Sequence, residues 1–211
     1  MNTRSIDDLE MHDKKRFLLF NRSMIIVIGL GNPGTAYARH RHNVGFQVLD
    51  AVAEKESFSF SEKGLFSATV AQSGELLLAK PTTFMNHSGV TARALLKQYT
   101  EAQVVVVYDD IDISLGSIKC SFGRGAGGHN GVQSIIDHLG HKDFFRIRVG
   151  VRPIHEELAD RILPPDGFQK FLLSNFAPFE KEKLEEGIVK AIAVIEALPH
   201  KSKEEIMTAF N

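Results

Sequence analysis

The chain has 211 residues, 43% hydrophobic and 24% charged, with a net charge of -1, a single Cys and no Trp. That length supports one ordinary globular core and scarcely two. One cysteine excludes an internal disulfide framework and a multi-cysteine zinc site, and the near-neutral total argues against a tail-driven grip on polyanions.

The charge is sorted, however. Residues 116–152 carry six bases and two acids, while residues 153–211 carry seven bases and eleven acids. No apolar run approaches the roughly 18 residues of a membrane span. Residues 1–23 hold four acids and one short apolar patch, Phe17–Phe20. That fits neither a signal-peptide core nor a transit peptide. The expectation is a poorly ordered extension followed by one domain over 24–211.

Met24–Leu30 is a continuous apolar run closed by glycines, the pattern of a buried central strand. Val44–Lys55 follows as a helix with Val44, Val48, Leu49 and Val52 on one face. Phe66–Ala71 and Leu76–Lys80 read as strands joined through Ser73-Gly74. Ser88 is placed to cap a helix running to Tyr99, with Ala92, Leu95 and Leu96 inward. Val104–Tyr108 is a second buried strand, ending in Asp109-Asp110-Ile111-Asp112. Ser117–Phe122, which contains Cys120, and Phe145–Val151 alternate, each with one wet face. Asn130–Leu139 is a short helix closed by Gly140. Leu184, Ile188, Ile192, Ile195 and Leu198 trace a long helix, and Ser202 with Glu205 forms a capping box for a last one. The expected fold is one α/β domain, a mixed, mostly parallel twisted sheet with helices on both faces.

Gly29-Leu30-Gly31-Asn32-Pro33-Gly34 matches the dinucleotide fingerprint G-x-G-x-x-G after a strand. The following Thr35–His42 is polar, helical periodicity resumes only near Asn43, and the acid expected about 20 residues on is missing, which argues against a Rossmann site. His40-Arg41-His42-Asn43 would need further ligands to hold a metal, with Asp109, Asp110 and Asp112 the candidates. Asp109, at the carboxyl end of a buried strand, lies where α/β sheets build sites. The same run resembles the strand-D-x-D start of magnesium-dependent phosphatases, with Asp110 as nucleophile, but nothing later completes that motif. Phe84, Met85 and Asn86 sit on a Pro-stiffened loop and suit a pocket wall. Gly123–Gly131 has five glycines in nine residues, and it leads into a helix without the G-K-[ST] ending of a nucleotide loop. Arg146 and Arg148, on one wet strand face, could grip phosphate. With no G-x-S-x-G elbow and the cysteine mid-strand, the remaining chemistry is His and Asp activating water, aided by Asn amides.

Four motifs in order, G-L-G-N-P-G-x-x-Y-x-x-x-R-H-N-x-G-F from Gly29, K-P-T-T-F-M-N-x-S-G from Lys80, Y-D-D-I-D-x-x-x-G from Tyr108 and G-G-H-N-G from Gly127, resemble bacterial peptidyl-tRNA hydrolase. The resemblance runs from about Met24 to the C-terminus. It implies a cytoplasmic, monomeric, metal-independent and cofactor-free esterase that frees tRNA from a peptide or N-acyl amino acid at its 3′ end. It implies His42 as general base and Asp109 as its partner, and Asn32 as the discriminator of blocked from free amines. Asn86 and Asn130 become peptide-holding amides, Tyr37 and Phe84 contacts to the tRNA acceptor end, Met85 and Gly127 pocket residues, and Lys119 and Arg148 the clamp on a 5′-phosphate. Many members carry a second base where this chain has Ser121, with Arg124 the nearby substitute. A mobile lid is implied over 154–176, whose Phe171-Leu172-Leu173-x-x-Phe176 matches the family's apolar end. From the residues alone, a magnesium-dependent phosphohydrolase and a noncatalytic tRNA-binding module remain as alternatives.

Overall fold

The five residues of β1, Ile25–Gly29, are all buried in the computed structural model, which describes residues 24–153 and 167–211. Burial on both sides follows from its place at the centre of a seven-stranded sheet. The other strands are β2 Ser61–Lys63, β3 Ala68–Ser73, β4 Leu76–Pro81, β5 Gln103–Ser114, β6 Ile118–Phe122 and β7 Phe145–Arg152. Their spatial order is β2-β3-β4-β1-β5-β7-β6. The inner pairs β4–β1, β1–β5 and β5–β7 are parallel, and the outer pairs are antiparallel.

Six helices follow in the described residues: α1 Val44–Lys55, α2 Ser88–Gln98, α3 Asn130–Leu139, α4 Gly167–Leu172, α5 Lys181–Ala197 and α6 Lys203–Phe210. One face of the sheet is covered by α1, α5 and α6, through Val48, Leu49, Val194 and Ile206. The other is covered by α2 and α3, through Ala92, Leu95, Val132 and Ile135. The stripe read for α1 is buried in full, whereas Leu96 of α2 and Leu184, Ile188 and Ile192 of α5 are half-buried against the margins of two separate cores. Ser202 and Glu205 form the expected capping box, with the Glu205 carboxylate accepting from the Ser202 N–H at 2.8 Å.

Several expectations need correction. β5 does not stop at Tyr108 but runs on through the acidic residues to Ser114. Phe66 lies in a 3-10 turn rather than in a strand, and the exposed β2 has no apolar pattern that would announce it. Ser88 is the first residue of α2, not its cap; its hydroxyl donates to the Met85 carbonyl at 2.8 Å. Cys120 is fully buried, and burial pushes its thiol up to about 12. Residues 1–23 and 154–166, and with them the start of the expected lid, lie outside the described residues.

β1 and α1 meet backbone to backbone. A Cβ on Gly45 would stand 2.4 Å from the Val107 carbonyl oxygen and 2.5 Å from the Leu30 nitrogen. Only glycine fits there, and the fit brings the start of α1 against the carboxyl ends of β1 and β5.

Candidate active site

The loops leaving β1, β4 and β5 gather at the carboxyl edge of the parallel strands, the place where open α/β sheets build their sites. The β1 loop is tied down by an amide pair. The Asn32 N–H donates to Asn43 Oδ1 at 3.0 Å, and Asn43 Nδ2 donates to the Asn32 carbonyl at 2.8 Å. The Asn32 side chain reaches the β4 loop, where its Oδ1 accepts from the Met85 N–H at 2.9 Å. Its oxygen is thus committed, and its NH2 is what it offers a ligand.

His42 sits in the 3-10 turn Arg41–Asn43 that leads into α1. Its Nδ1 lies 2.9 Å and 3.0 Å from the two carboxylate oxygens of Asp109. His129, which caps α3, approaches from the other side, with Nε2 at 3.0 Å from Asp109 Oδ1. The network fixes the tautomers. His129 Nδ1 accepts from the Val132 N–H at 3.3 Å, so Nε2 holds the proton and donates to Asp109. Asp109 is 3% exposed and accepts from both rings. Burial alone would raise its pKa; the His129 and His42 groups reverse this and hold it well below the usual carboxylate range. An ionised Asp109 makes His42 Nδ1 a donor, which leaves the Nε2 lone pair of His42 for a reacting molecule. For His42, burial lowers the pKa, but the Asp109 charge and hydrogen bond outweigh it and raise the value above the ordinary one.

The three donor groups lie within 4.8 Å of one another and form a set able to hold a metal ion. Both facing ring nitrogens are already hydrogen-bonded to Asp109, and metal on His129 Nε2 would sit where its proton now is. The arrangement matches a hydrogen-bonded relay better than a two-histidine, one-carboxylate cation site.

A cleft of about 750 Å³ opens beside this group, with Asp109, His129, the glycine-rich loop and α4 in its walls. Gly127 and Gly128 take φ of 60° and 82°, which lets the loop turn tightly over the cleft. Lys119 and Arg148 are cross-strand partners in β6–β7, so both point from the same face. Arg148 Nε donates to Asp110 Oδ2 at 2.8 Å. The Asp110 Oδ1 accepts from the Asp112 N–H at 2.9 Å.

Arg146 corrects the expected wet face. It is 1% exposed, its guanidinium donates to the carbonyls of Gly125 and Arg124, and Phe144 stacks beneath it at 4.5 Å. The glycine-rich loop folds over that face of the strand and uses Arg146 as its anchor. Met85 is likewise buried, not exposed, packed against Gly131. Phe84 is 54% exposed and stands edge-on to Tyr37 at 6.3 Å. Asn86 and Asn130 are both exposed at the loop ends, and Asn130 directly follows His129. His129 has no role assigned by the motifs, only its place in G-G-H-N-G. Its signal was present, a His beside a helix start in a loop of unusual glycine content.

Residues 26–211 match the family model described as peptidyl-tRNA hydrolase. The peptidyl-tRNA hydrolase of Halalkalibacterium halodurans is 39% identical over 193 residues, covering 89% of this chain and 100% of its own. That of Aliarcobacter butzleri is 38% identical over 189 residues, covering 89% and 98%. Among solved structures, peptidyl-tRNA hydrolase from Acinetobacter baumannii superposes with a TM-score of 0.77 at 27% identity, covering 89% of this chain and 94% of that one. With the motifs, the sheet order and the His–Asp–His group all on one chain, this protein belongs to the peptidyl-tRNA hydrolase family.

Proposed function

We propose that the chain hydrolyses the ester between a peptide, or an N-acyl amino acid, and the 3′ end of tRNA, with His42 as general base. The observation that carries this reading is the pairing of His42 Nδ1 with the ionised Asp109, which leaves Nε2 unprotonated and able to accept a proton. A water gives its proton to Nε2 as its oxygen bonds to the ester carbonyl carbon. The tetrahedral intermediate then collapses, the carbon–oxygen bond to the ribose breaks, and the imidazolium returns the proton to the leaving 3′-oxygen. Asp109 stabilises the imidazolium between these steps, in the manner of the third member of a triad. His129 adds a second donor that orients the Asp109 carboxylate.

In this reading Asn32 uses its free NH2 to recognise a blocked α-amine, and the exposed amides of Asn86 and Asn130 hold the peptide and place the water. The half-buried Tyr37 and the exposed Phe84 offer an aromatic pair to the unstacked acceptor end. Lys119 and Arg148 offer adjacent cations to its 5′-phosphate. The same reading carries a cytoplasmic monomer without a resident metal or cofactor. A phosphohydrolase using Asp110 is disfavoured because both its carboxylate oxygens are engaged, by Arg148 and by the Asp112 N–H.

Incubation with N-acetyl-aminoacyl-tRNA and with free aminoacyl-tRNA, each with and without EDTA, tests the proposal. Ester release is expected from the blocked substrate and unchanged by EDTA. Binding without release would leave a tRNA-binding module, and loss of release in EDTA would reinstate the metal reading.

A further inference from the structure

Arg41, the residue before His42, is 5% exposed and has no part in the chemistry above. Its guanidinium grips Glu180 with both arms: Nη1 donates to Oε1 at 3.1 Å and Nη2 to Oε2 at 2.6 Å. The cation is held between two rings, with Cζ 4.3 Å from the centroid of Phe171 and 4.6 Å from that of Phe176. The backbone joins in. The Arg41 N–H donates to the Ser174 carbonyl at 3.0 Å, and His40 bridges to Asn175. Glu180 is fixed in turn, since its Oε2 accepts from the Ala177 N–H at 2.7 Å.

A buried ion pair is a costly route to stability, because desolvation offsets much of its attraction. What the bidentate fork supplies is one defined geometry. At one end of it is the turn that carries His42. At the other is the segment continuing from α4, whose Phe168 and Leu172 line the cleft.

We infer that the Arg41–Glu180 fork is a positioning device, which sets His42 against Asp109 and locks the base to the α4 wall of the cleft. This rests on the reading of His42 as base. Arg41 acts only through its neighbour, so its loss lowers turnover and leaves substrate affinity in place. A misplacement of about 1 Å in a reacting group is worth roughly a hundredfold in rate.

The test uses the full chain and N-acetyl-aminoacyl-tRNA. Absence of ester release by the wild-type protein would overturn the assigned reaction itself, before any variant is compared. Given wild-type release, Arg41→Ala is expected to lower kcat by about ten- to a hundredfold with KM changed by less than about twofold. Guanidinium ion, at concentrations far below those that unfold proteins, should refill the slot between the two rings and restore part of kcat, whereas potassium at equal ionic strength should not. Glu180→Gln keeps the side-chain shape and is the second variant should Arg41→Ala fail to fold; it too should lose kcat with KM held. The inference is overturned by kcat per folded molecule staying within about twofold of wild type. It is equally overturned by guanidinium raising Tm without raising kcat, or by either variant losing KM while keeping kcat.

Discussion

Asp109 accepts two imidazole donors, and the second donor changes what the first can do. His42 must be neutral to take a proton from water, so kcat/KM falls as pH drops through its pKa, which Asp109 holds above 6.5. The acid limb of the rate profile should therefore have its midpoint above that value. Removing the base outright, in His42→Ala, should cost about 10²–10⁴-fold in turnover with tRNA binding largely retained. His129→Ala tests the second donor. Without the His129 N–H, the Asp109 charge falls more fully on His42, the imidazolium is held more tightly, and the limb should move to higher pH. A limb that stays or moves to lower pH would contradict the shared-carboxylate arrangement. At this scale the pairing of His42 with Asp109 was legible through the resemblance of the two motifs that carry them, and the fold brings the side chains to 2.9 Å. Arg146 was not legible, because strand alternation says which face a side chain occupies but not which loop folds over that face.

The elements that could be read to the residue are those whose local preferences and tertiary surroundings agree. α1 and α3 have the expected bounds because an apolar stripe, and for α3 a closing Gly140, mark them. β5 outran its reading because aspartates disfavour strands. Here Asp109 and Asp110 are held in the strand by His42, His129 and Arg148, so the site sets the element rather than the reverse. The junction of α1 with β1 and β5 makes the same point through glycine. A methyl group at Gly45 would press on the Val107 carbonyl oxygen at 2.4 Å and the Leu30 nitrogen at 2.5 Å, and both are backbone atoms that cannot swing aside. Gly45→Ala is expected to cost about 1–3 kcal/mol or more. In a domain of this size that is roughly 2–4 °C in Tm for each kcal/mol. Because α1 begins directly after the His42 turn, turnover per folded molecule should fall as well. An unchanged Tm would show that the two elements have slack, and the close approach would lose its meaning as the support of the base.

For the whole molecule, the sorted charge becomes more restrictive once the side chains are placed. The segment 116–152 holds six bases, but Arg146 is spent on anchoring the glycine-rich loop and Arg148 is partly neutralised by Asp110. Lys119, Arg124, Lys142 and Arg152 remain exposed, on a chain of net charge -1. A protein that touches only the end of a tRNA needs few phosphate contacts, and the salt dependence of its binding counts them. With about two or three phosphates neutralised, log Kd should change with log salt concentration by a slope of only about 2 to 3. Lys119→Gln should lower that slope by about one without affecting stability. Arg146→Gln should do the opposite, leaving the slope alone while lowering Tm, because its guanidinium holds backbone carbonyls and not phosphate. A slope well above this range, or a slope that falls with Arg146 and not with Lys119, would mean that the nucleic acid lies across a different and larger face of the molecule.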